Sequence, residues 1–194
     1  MRRFTEMKNL EQELKLQLTS AEYRALCDLT AEKPRLQTNY YFQINEPRAD
    51  FAMVRIREKE GNFLLCYKSS ISNREGVWVN DERECELEKT FAENLISRGI
   101  SEREINAMLK TDFHQRLEYA GKLDTYRTTF FLQNWKLELD KNFYLDFCDY
   151  ELECECESVE SLESLKEFLR QNYGVEIRYS AAKSARFFQA KNLR

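Results

Sequence analysis

Residues 126–158, YRTTFFLQNWKLELDKNFYLDFCDYELECECES, carry the pattern that decides the fold. Apolar residues alternate with charged or polar ones through most of this stretch, and a period of two is typical of β-strands that bury one face. Asn134 and the group at 140–142 are turn-forming residues that separate the alternating runs. We therefore predict three successive strands, joined by tight turns, in an antiparallel sheet.

Similar segments nearer the N-terminus predict further strands at 11–18, 38–51, 51–59, 62–70 and 77–91. Amphipathic segments, two of them opened by the capping boxes Thr19/Glu22 and Ser101/Glu104, predict helices at 19–29, 91–99, 101–110, 158–174 and 180–192. No linker or low-complexity stretch separates these elements. The predicted class is α+β, and residues 1–194 are predicted to form a single domain.

Composition excludes several classes of protein. Hydrophobic residues make up 42% of the 194 residues, which is enough for a core without disulfides. The net charge of −4 argues against a protein that binds nucleic acid over its whole surface. Six cysteines without a Cys-x-x-Cys pair, together with one histidine, do not support a zinc site. Since no apolar run is long enough to span a bilayer, we predict a cytoplasmic protein with no membrane partner.

Several of the predicted strands carry a row of charged residues along one face. In EQELKLQL, at 11–18, Glu11, Glu13 and Lys15 lie on one side and the leucines on the other. Other strands carry such rows at Arg55 and Arg57, at Glu82, Glu84, Glu86 and Glu88, and at Glu151, Glu153, Glu155 and Glu157. Lys68 and Arg127 stand singly in strands that are otherwise apolar.

Two interpretations of these charged faces are open. Taken singly, each is typical of the solvated face of a half-buried antiparallel sheet. Taken together, acidic and basic rows suit a curled or closed sheet whose polar faces point at a shared ligand. A polyphosphate with a divalent metal satisfies both signs, because Arg and Lys neutralise phosphate while carboxylates hold Mg²⁺ or Mn²⁺.

The chain also resembles a known family in an ordered series of motifs. These are Glu11-x-Glu13-x-Lys15, VRIRE at 54–58, LLCYKS at 64–69, YRTTF at 126–130, YELECE at 150–155 and SAAKSARFF at 180–188. In this order they resemble the CYTH superfamily, also called triphosphate tunnel metalloenzymes, and most of all its Gram-positive members labelled adenylate cyclases and its thiamine triphosphatase-like members. The resemblance implies a closed antiparallel β-barrel, the triphosphate tunnel, with helices packed outside.

The resemblance also implies roles for individual residues. The metal ligands would be Glu11, Glu13, Glu84, Glu86, Glu151 and Glu153. The phosphate-binding residues would be Lys15, Arg55, Arg57, Lys68, Arg127, Lys183 and Arg186. Glu11, Glu13, Lys15 and Arg57 would form the catalytic set. Arg83 departs from the family pattern, because it is out of phase with Glu84 and Glu86; either it faces outward or a bulge shifts it.

The function implied is Mg²⁺- or Mn²⁺-dependent hydrolysis of a small-molecule triphosphate, namely inorganic triphosphate, thiamine triphosphate or a nucleoside triphosphate. Two alternatives stay open. One is a class IV-type adenylate cyclase, in which a ribose hydroxyl attacks in place of water. The other is a non-catalytic polyphosphate- or nucleotide-binding module. An oligomer also stays open, although the sequence shows no interface for one.

Overall fold

The computed structural model describes residues 12–43, 53–74, 77–156 and 159–193, with the backbone alone at 12, 13, 69–74, 77–82, 156 and 159. The strands are β1 (Gln12–Leu18), β2 (Arg35–Gln43), β3 (Met53–Lys59), β4 (Asn62–Arg74), β5 (Val77–Leu87), β6 (Glu118–Leu132), β7 (Trp135–Tyr144) and β8 (Phe147–Cys156). The helices are α1 (Ser20–Cys27), α2 (Lys89–Arg98), α3 (Glu102–Leu109), α4 (Val159–Tyr173) and α5 (Lys183–Asn192).

The eight strands form one sheet in the order β1-β8-β7-β6-β2-β3-β4-β5. The pairs β1 with β8, β7 with β8, β2 with β3 and β3 with β4 are antiparallel. The predicted α+β class with an antiparallel sheet is therefore confirmed. The predicted closure is not shown, because β1 and β5 end the strand order and no ladder joins them in the described part of the chain.

The three strands predicted within residues 126–158 are present, but one of their turns lies elsewhere. The turn at Asn134 is confirmed, whereas the turn predicted at 140–142 is wrong: β7 continues to Tyr144 and the chain turns at Leu145 and Asp146. The physical reason is that Asp140 and Asn142 are completely buried and find partners across the sheet. Tertiary hydrogen bonds therefore override the local preference of these residues for a turn.

The chain divides into two compact units, and β6 passes from the first into the second. The first contains the described residues of Gln37–Ile71 and Asn80–Leu123, and the second those of Leu10–Leu36, Ser72–Val79 and Asp124–Arg194. The single domain expected from the sequence stays a prediction.

In the first unit, the apolar faces of β2, β3 and β4 pack against α2 and α3. The buried members of this core include Phe42, Val54, Ile56, Leu65, Leu95 and Ile105. Because side chains alternate along a strand, the polar residues of the same strands lie on the opposite face.

In the second unit, the apolar faces of β1, β7 and β8 pack against α1 and α4. The buried members of this core include Leu14, Leu16, Leu26, Leu137, Leu139, Leu152, Leu162, Leu165 and Leu169. The leucines of EQELKLQL thus face helices, and the charged residues that alternate with them face the other way.

Both predicted capping boxes are formed, at Thr19 with Glu22 and at Ser101 with Glu104. β3 and β4 form a hairpin that turns at Glu60 and Gly61, both at positive φ, which suits glycine best. Among the helices that the structure describes, none is long and apolar enough to cross a bilayer.

Candidate active site

The polar face of the second unit is built by the register of three neighbouring strands. Lys15 of β1 lies opposite Glu153 of β8, which lies opposite Glu138 of β7. Two residues further along the β7–β8 ladder, Glu151 lies opposite Asp140. Since paired residues of an antiparallel ladder point to the same side, these charges share the face opposite the leucine core.

Three carboxylates on this face meet at one point. One oxygen each of Asp140, Glu151 and Glu153 lies within 4.8 Å of the others. Asp140 and Glu151 have no solvent exposure, and Glu153 is 5% exposed. We call these residues the acidic trio. Burying three carboxylates so close together is strongly unfavourable unless cations accompany them.

The ammonium group of Lys183, from the first turn of α5, lies among the three carboxylates. Its Nζ is 2.9 Å from Asp140 Oδ2 and 2.6 Å from Glu153 Oε1, and it also contacts Glu151 Oε2. Lys15 adds a second ammonium, with Nζ 2.9 Å from Glu153 Oε1. Both lysine side chains are mostly buried, so these ion pairs are shielded from solvent screening.

The guanidinium of Arg127, on β6, binds two members of the acidic trio. Its Nε and Nη2 donate to the two oxygens of Asp140 at 2.8 and 2.6 Å, a bidentate pair. Nη2 also lies 2.5 Å from Glu153 Oε2, and Nη1 pairs with Glu138. Arg127 therefore bridges three carboxylates on two strands.

Arg186, one helical turn after Lys183, binds the remaining acids. It contacts Asp149 at 3.0 and 3.3 Å and both oxygens of Glu151 at 3.1 Å. It also donates to Ser180 Oγ and to the carbonyl oxygen of Ala181. Its guanidinium thus ties the start of α5 to β8.

These contacts set the ionisation of the site. Burial alone raises the pKa of Glu153, but Lys15, Lys183 and Arg127 outweigh it and hold that pKa well below its usual value. Burial likewise raises the pKa of Glu151, and attraction to Lys183 reverses the effect. Burial lowers the pKa of Lys183, yet the surrounding carboxylates raise it above its ordinary value. Both glutamates are therefore ionised at neutral pH, and the lysine is protonated.

The segment before α5 is held against β1 by its backbone. Ser180 N donates to Lys15 O at 3.0 Å, and Gln17 N donates to Arg178 O at 2.7 Å. Leu16 and Tyr179 form a bridge between these bonds. We call residues 178–180 the strap. It occupies the edge of β1 that β8 leaves open, so this part of β1 has no free edge for another strand.

The polar face of the first unit carries the basic row predicted on β3. Arg57 lies opposite Asn39 of β2, with Arg57 Nε 3.4 Å from Asn39 Oδ1, and Arg55 lies opposite Cys66 of β4. Lys68, two residues after Cys66, has the same phase. Arg55, Arg57 and Lys68 therefore share one face, as their spacing predicts.

Cys66 and Glu84 meet on this face, with Cys66 Sγ 3.2 Å from Glu84 Oε1. Burial is the main cause that raises the pKa of the Cys66 thiol to about 11, although Arg55 and Arg57 act against it. The thiol is therefore a neutral donor to the carboxylate at neutral pH.

The phase of β5 settles where Arg83 lies. Cys85 belongs to the core of the first unit, so Glu84 and Glu86, which alternate with it, lie on the other side. Arg83 has the phase of Cys85 and donates to the carbonyl oxygens of Leu109 and Lys110, at 3.4 and 2.6 Å. It faces the end of α3, where a cation is favourable.

The structure brings together six of the residues singled out from the sequence, namely Lys15, Arg127, Glu151, Glu153, Lys183 and Arg186. Glu11 lies outside the described residues, and of Glu13 only the backbone is described, paired with Glu155. Sequence reasoning missed Glu138, Asp140 and Asp149. The signal for Glu138 and Asp140 was present, because both alternate with Leu137 and Leu139.

The acidic trio fits a hard divalent cation. Mg²⁺ and Mn²⁺ prefer oxygen ligands, and three buried carboxylate oxygens converge here. The ammonium of Lys183 already lies among them, which shows that the position favours positive charge.

Comparison with known proteins gives independent support for the fold and shows the family of the chain. The chain is 25% identical over 187 residues to "Putative triphosphatase YjbK" of Bacillus subtilis (strain 168), covering 94% of this chain and 96% of that protein. A solved structure described as "Putative adenylyl cyclase HpAC1 from Hippeastrum reveals a dominant triphophatase activity" is similar with a TM-score of 0.77 and 24% identity. That match covers 93% of this chain and 96% of the other.

A "putative adenylate cyclase (bh2851)" from Bacillus halodurans is similar with a TM-score of 0.74 and 24% identity, over 94% of this chain and 100% of that one. These two structural likenesses support the fold. The family model for the CYTH domain matches residues 9–188. The chain therefore belongs to the CYTH domain family.

Proposed function

We propose that this protein is a divalent-metal-dependent triphosphatase that hydrolyses a small-molecule triphosphate. The observation that carries the proposal is the buried acidic trio surrounded by Lys15, Arg127 and Lys183. Such a site can hold a cation and phosphate oxygens at once, because carboxylates suit the first and ammonium or guanidinium groups suit the second. The substrate class is consistent with the triphosphatase name of the relative from Bacillus subtilis.

In this proposal Asp140, Glu151 and Glu153 hold Mg²⁺ or Mn²⁺. Glu11, Glu13, Glu84 and Glu86 are further candidate ligands, on the family resemblance. When bound, the cation would neutralise negative charge on the phosphate oxygens as the phosphoanhydride breaks.

The chain's own cations bind and orient the phosphates. Lys15, Arg127 and Lys183 lie beside the acidic trio, and we assign Arg55, Arg57, Lys68 and Arg186 to phosphate binding on the family resemblance. A glutamate of the site accepts a hydrogen bond from the attacking water. The water oxygen bonds to the terminal phosphorus and the anhydride bond breaks, so that the shortened phosphate chain leaves with the bonding electron pair. The proton that the water loses passes to the phosphate products or to solvent. No side-chain nucleophile is needed, since positioning and electrostatics lower the barrier.

This proposal includes three further expectations from the sequence: a tunnel that encloses the substrate, a single domain and a cytoplasmic location.

The second candidate function is adenylate cyclisation, which the name of the Bacillus halodurans structure suggests. Both reactions need the same residues to bind the phosphates and the metal. The description of the Hippeastrum protein gives triphosphatase activity as dominant there, which favours hydrolysis as our first proposal.

The experiment is product analysis with inorganic triphosphate, thiamine triphosphate and ATP, each with Mg²⁺ and with Mn²⁺. Hydrolysis releases orthophosphate from at least one of them, whereas cyclisation releases cyclic AMP and pyrophosphate from ATP. Binding without any product from all three compounds would overturn the enzymatic proposal and leave a binding module.

Variants test the assigned residues. We expect Glu13→Gln and Arg57→Ala to lower kcat/KM by about 100-fold or more while the protein stays folded, since each removes charge that acts on the transition state. Arg83→Ala is the matched control for Arg57→Ala, because its guanidinium binds the end of α3. Wild-type rates in both Glu13→Gln and Arg57→Ala would contradict the assignment.

A further inference from the structure

Lys183 differs from the other cations of the site in its position. Its Nζ contacts one oxygen of each member of the acidic trio, Asp140, Glu151 and Glu153. The ion pair of Lys15 is with Glu153 alone within the trio, and Arg127 binds Asp140 and Glu153 from the side of β6. The ammonium of Lys183 thus lies where a cation held by all three carboxylates would lie.

We propose that the ammonium of Lys183 is a built-in occupant of the metal position, which a divalent cation must displace in order to bind the acidic trio. The inference rests on the proposed function, since it takes the trio as the metal site. A divalent ion and an ammonium group cannot both lie between the same three oxygens, because each would have to contact all three and the two cations would overlap there. Metal binding therefore requires the side chain of Lys183 to move.

The backbone around Lys183 does not have to move with it. The strap is hydrogen-bonded to β1 through Arg178 and Ser180, and Arg186 holds the next turn of α5 to Asp149 and Glu151. A lysine has four rotatable bonds, so its ammonium can leave the trio while α5 stays in place.

The triphosphate gives the displaced ammonium a new partner. Phosphate oxygens accept hydrogen bonds from lysine as carboxylates do, so a bound triphosphate lowers the cost of removing Lys183 from the trio. Metal and triphosphate should therefore bind with positive coupling: each raises the affinity of the other by the same factor. Metal alone should bind weakly.

The test measures Mn²⁺ binding without turnover, by titration calorimetry and by the electron paramagnetic resonance signal of free Mn²⁺. We expect Lys183→Gln to bind Mn²⁺ about tenfold more tightly than wild type in the absence of triphosphate. A non-hydrolysable imidotriphosphate should raise Mn²⁺ affinity about tenfold in wild type and far less in Lys183→Gln.

Lys15→Gln is the matched control, because it removes the same charge from the same face but not from the centre of the trio. A smaller gain in Lys15→Gln than in Lys183→Gln supports displacement, whereas equal gains show a general charge effect and overturn the inference. Equal Mn²⁺ affinity in Lys183→Gln and wild type also overturns it. No Mn²⁺ binding to any of the three proteins, with or without imidotriphosphate, overturns the metal site itself and with it the proposed function.

A second measurement uses wild type alone, in case Lys183→Gln does not fold. Reductive methylation of lysines, quantified by mass spectrometry, reports how accessible each ammonium is. Lys183 should be methylated slowly in metal-free protein and faster once saturating Mg²⁺ has displaced it. An unchanged rate at Lys183 with Mg²⁺ bound would overturn the inference.

Discussion

Glu153 shows how one residue depends on its neighbours in this site. It is almost fully buried, yet Lys15, Lys183 and Arg127 keep its pKa well below the usual value in spite of that burial. A buried charge with good partners contributes little net stability, but removing one partner leaves the others uncompensated. The charged residues of the site therefore stabilise one another, and the loss of any one of them destabilises the rest.

Arg127 tests this interdependence. We expect Arg127→Gln to lower the free energy of unfolding by about 3 to 5 kcal/mol, because Glu138, Asp140 and Glu153 all lose a cation. Arg127→Lys should cost less, since it keeps the charge and loses only the bidentate geometry. Urea denaturation at pH 7 measures both.

Arg170→Gln is the control for Arg127→Gln. Its partner is Glu167, both side chains are more than half exposed, and the expected loss is below about 1 kcal/mol. Equal losses in Arg127→Gln and Arg170→Gln would contradict the assigned role of the Arg127 ion pairs.

At the level of elements, β1 is held along both of its edges. β8 pairs with one edge, and the strap bonds to the other between Lys15 and Gln17. Glu22 of α1 secures the strap, since it accepts a hydrogen bond from Glu176 N at 2.9 Å and pairs with Arg178. A helix cap thus fixes the segment that delivers Lys183 to the site.

The lowered pKa of Glu22 predicts that the free energy of unfolding depends on pH. Burial alone raises its pKa, but the backbone N–H groups of Glu176 and Thr19, together with Arg178, lower it to about 2 from 4.5. A depressed carboxyl pKa contributes stability that is present above the unfolded value and lost as pH falls through the folded one. The contribution of Glu22 should therefore disappear between about pH 4.5 and pH 2.

The measurement is the difference in free energy of unfolding between wild type and Glu22→Gln. We expect about 1 to 2 kcal/mol at pH 7, the scale of a lost helix cap, and a progressively smaller difference below pH 4.5. Glu163→Gln, at an exposed position of α4, is the control and should show little change. A difference that stays constant from pH 7 to pH 2.5 would argue against the contacts assigned to Glu22.

For the whole molecule, each unit combines an apolar sheet face covered by helices with an opposite polar face. The first unit carries Arg55, Arg57 and Lys68 on its polar face, and the second carries the acidic trio with its cations. The family model for the CYTH domain, which matches residues 9–188, takes in residues of both units. A ligand that binds the folded state alone should stabilise the whole chain.

Thermal unfolding tests this expectation. Mn²⁺ with imidotriphosphate, present at about 100 times the dissociation constant, should add about 2.7 kcal/mol and raise Tm by about 5 to 10 °C. Addition of EDTA should remove most of the shift, and Mn²⁺ with sulfate should give little. A Tm unmoved by Mn²⁺ and imidotriphosphate would show that the folded protein does not bind them.

Much of the site could be predicted from the sequence because a strand has a strict period of two. The phase of EQELKLQL, VRIREK and YELECECES alone places their charges opposite their leucines, valines and isoleucines. The phase of Arg83 likewise separates it from Glu84 and Glu86. These features depend only on the local geometry of an extended chain.

The remaining features depend on which strands become neighbours, and local geometry does not contain that information. Asp140 is a turn-forming residue in the sequence and a buried member of the acidic trio in the structure, because Arg127 of β6 and Lys183 of α5 neutralise it. The sequence by itself determined an antiparallel α+β sheet with charged faces and family membership. Only the tertiary structure decided that the ammonium of Lys183 lies at the centre of three carboxylates, because packing brings together residues that are far apart along the chain.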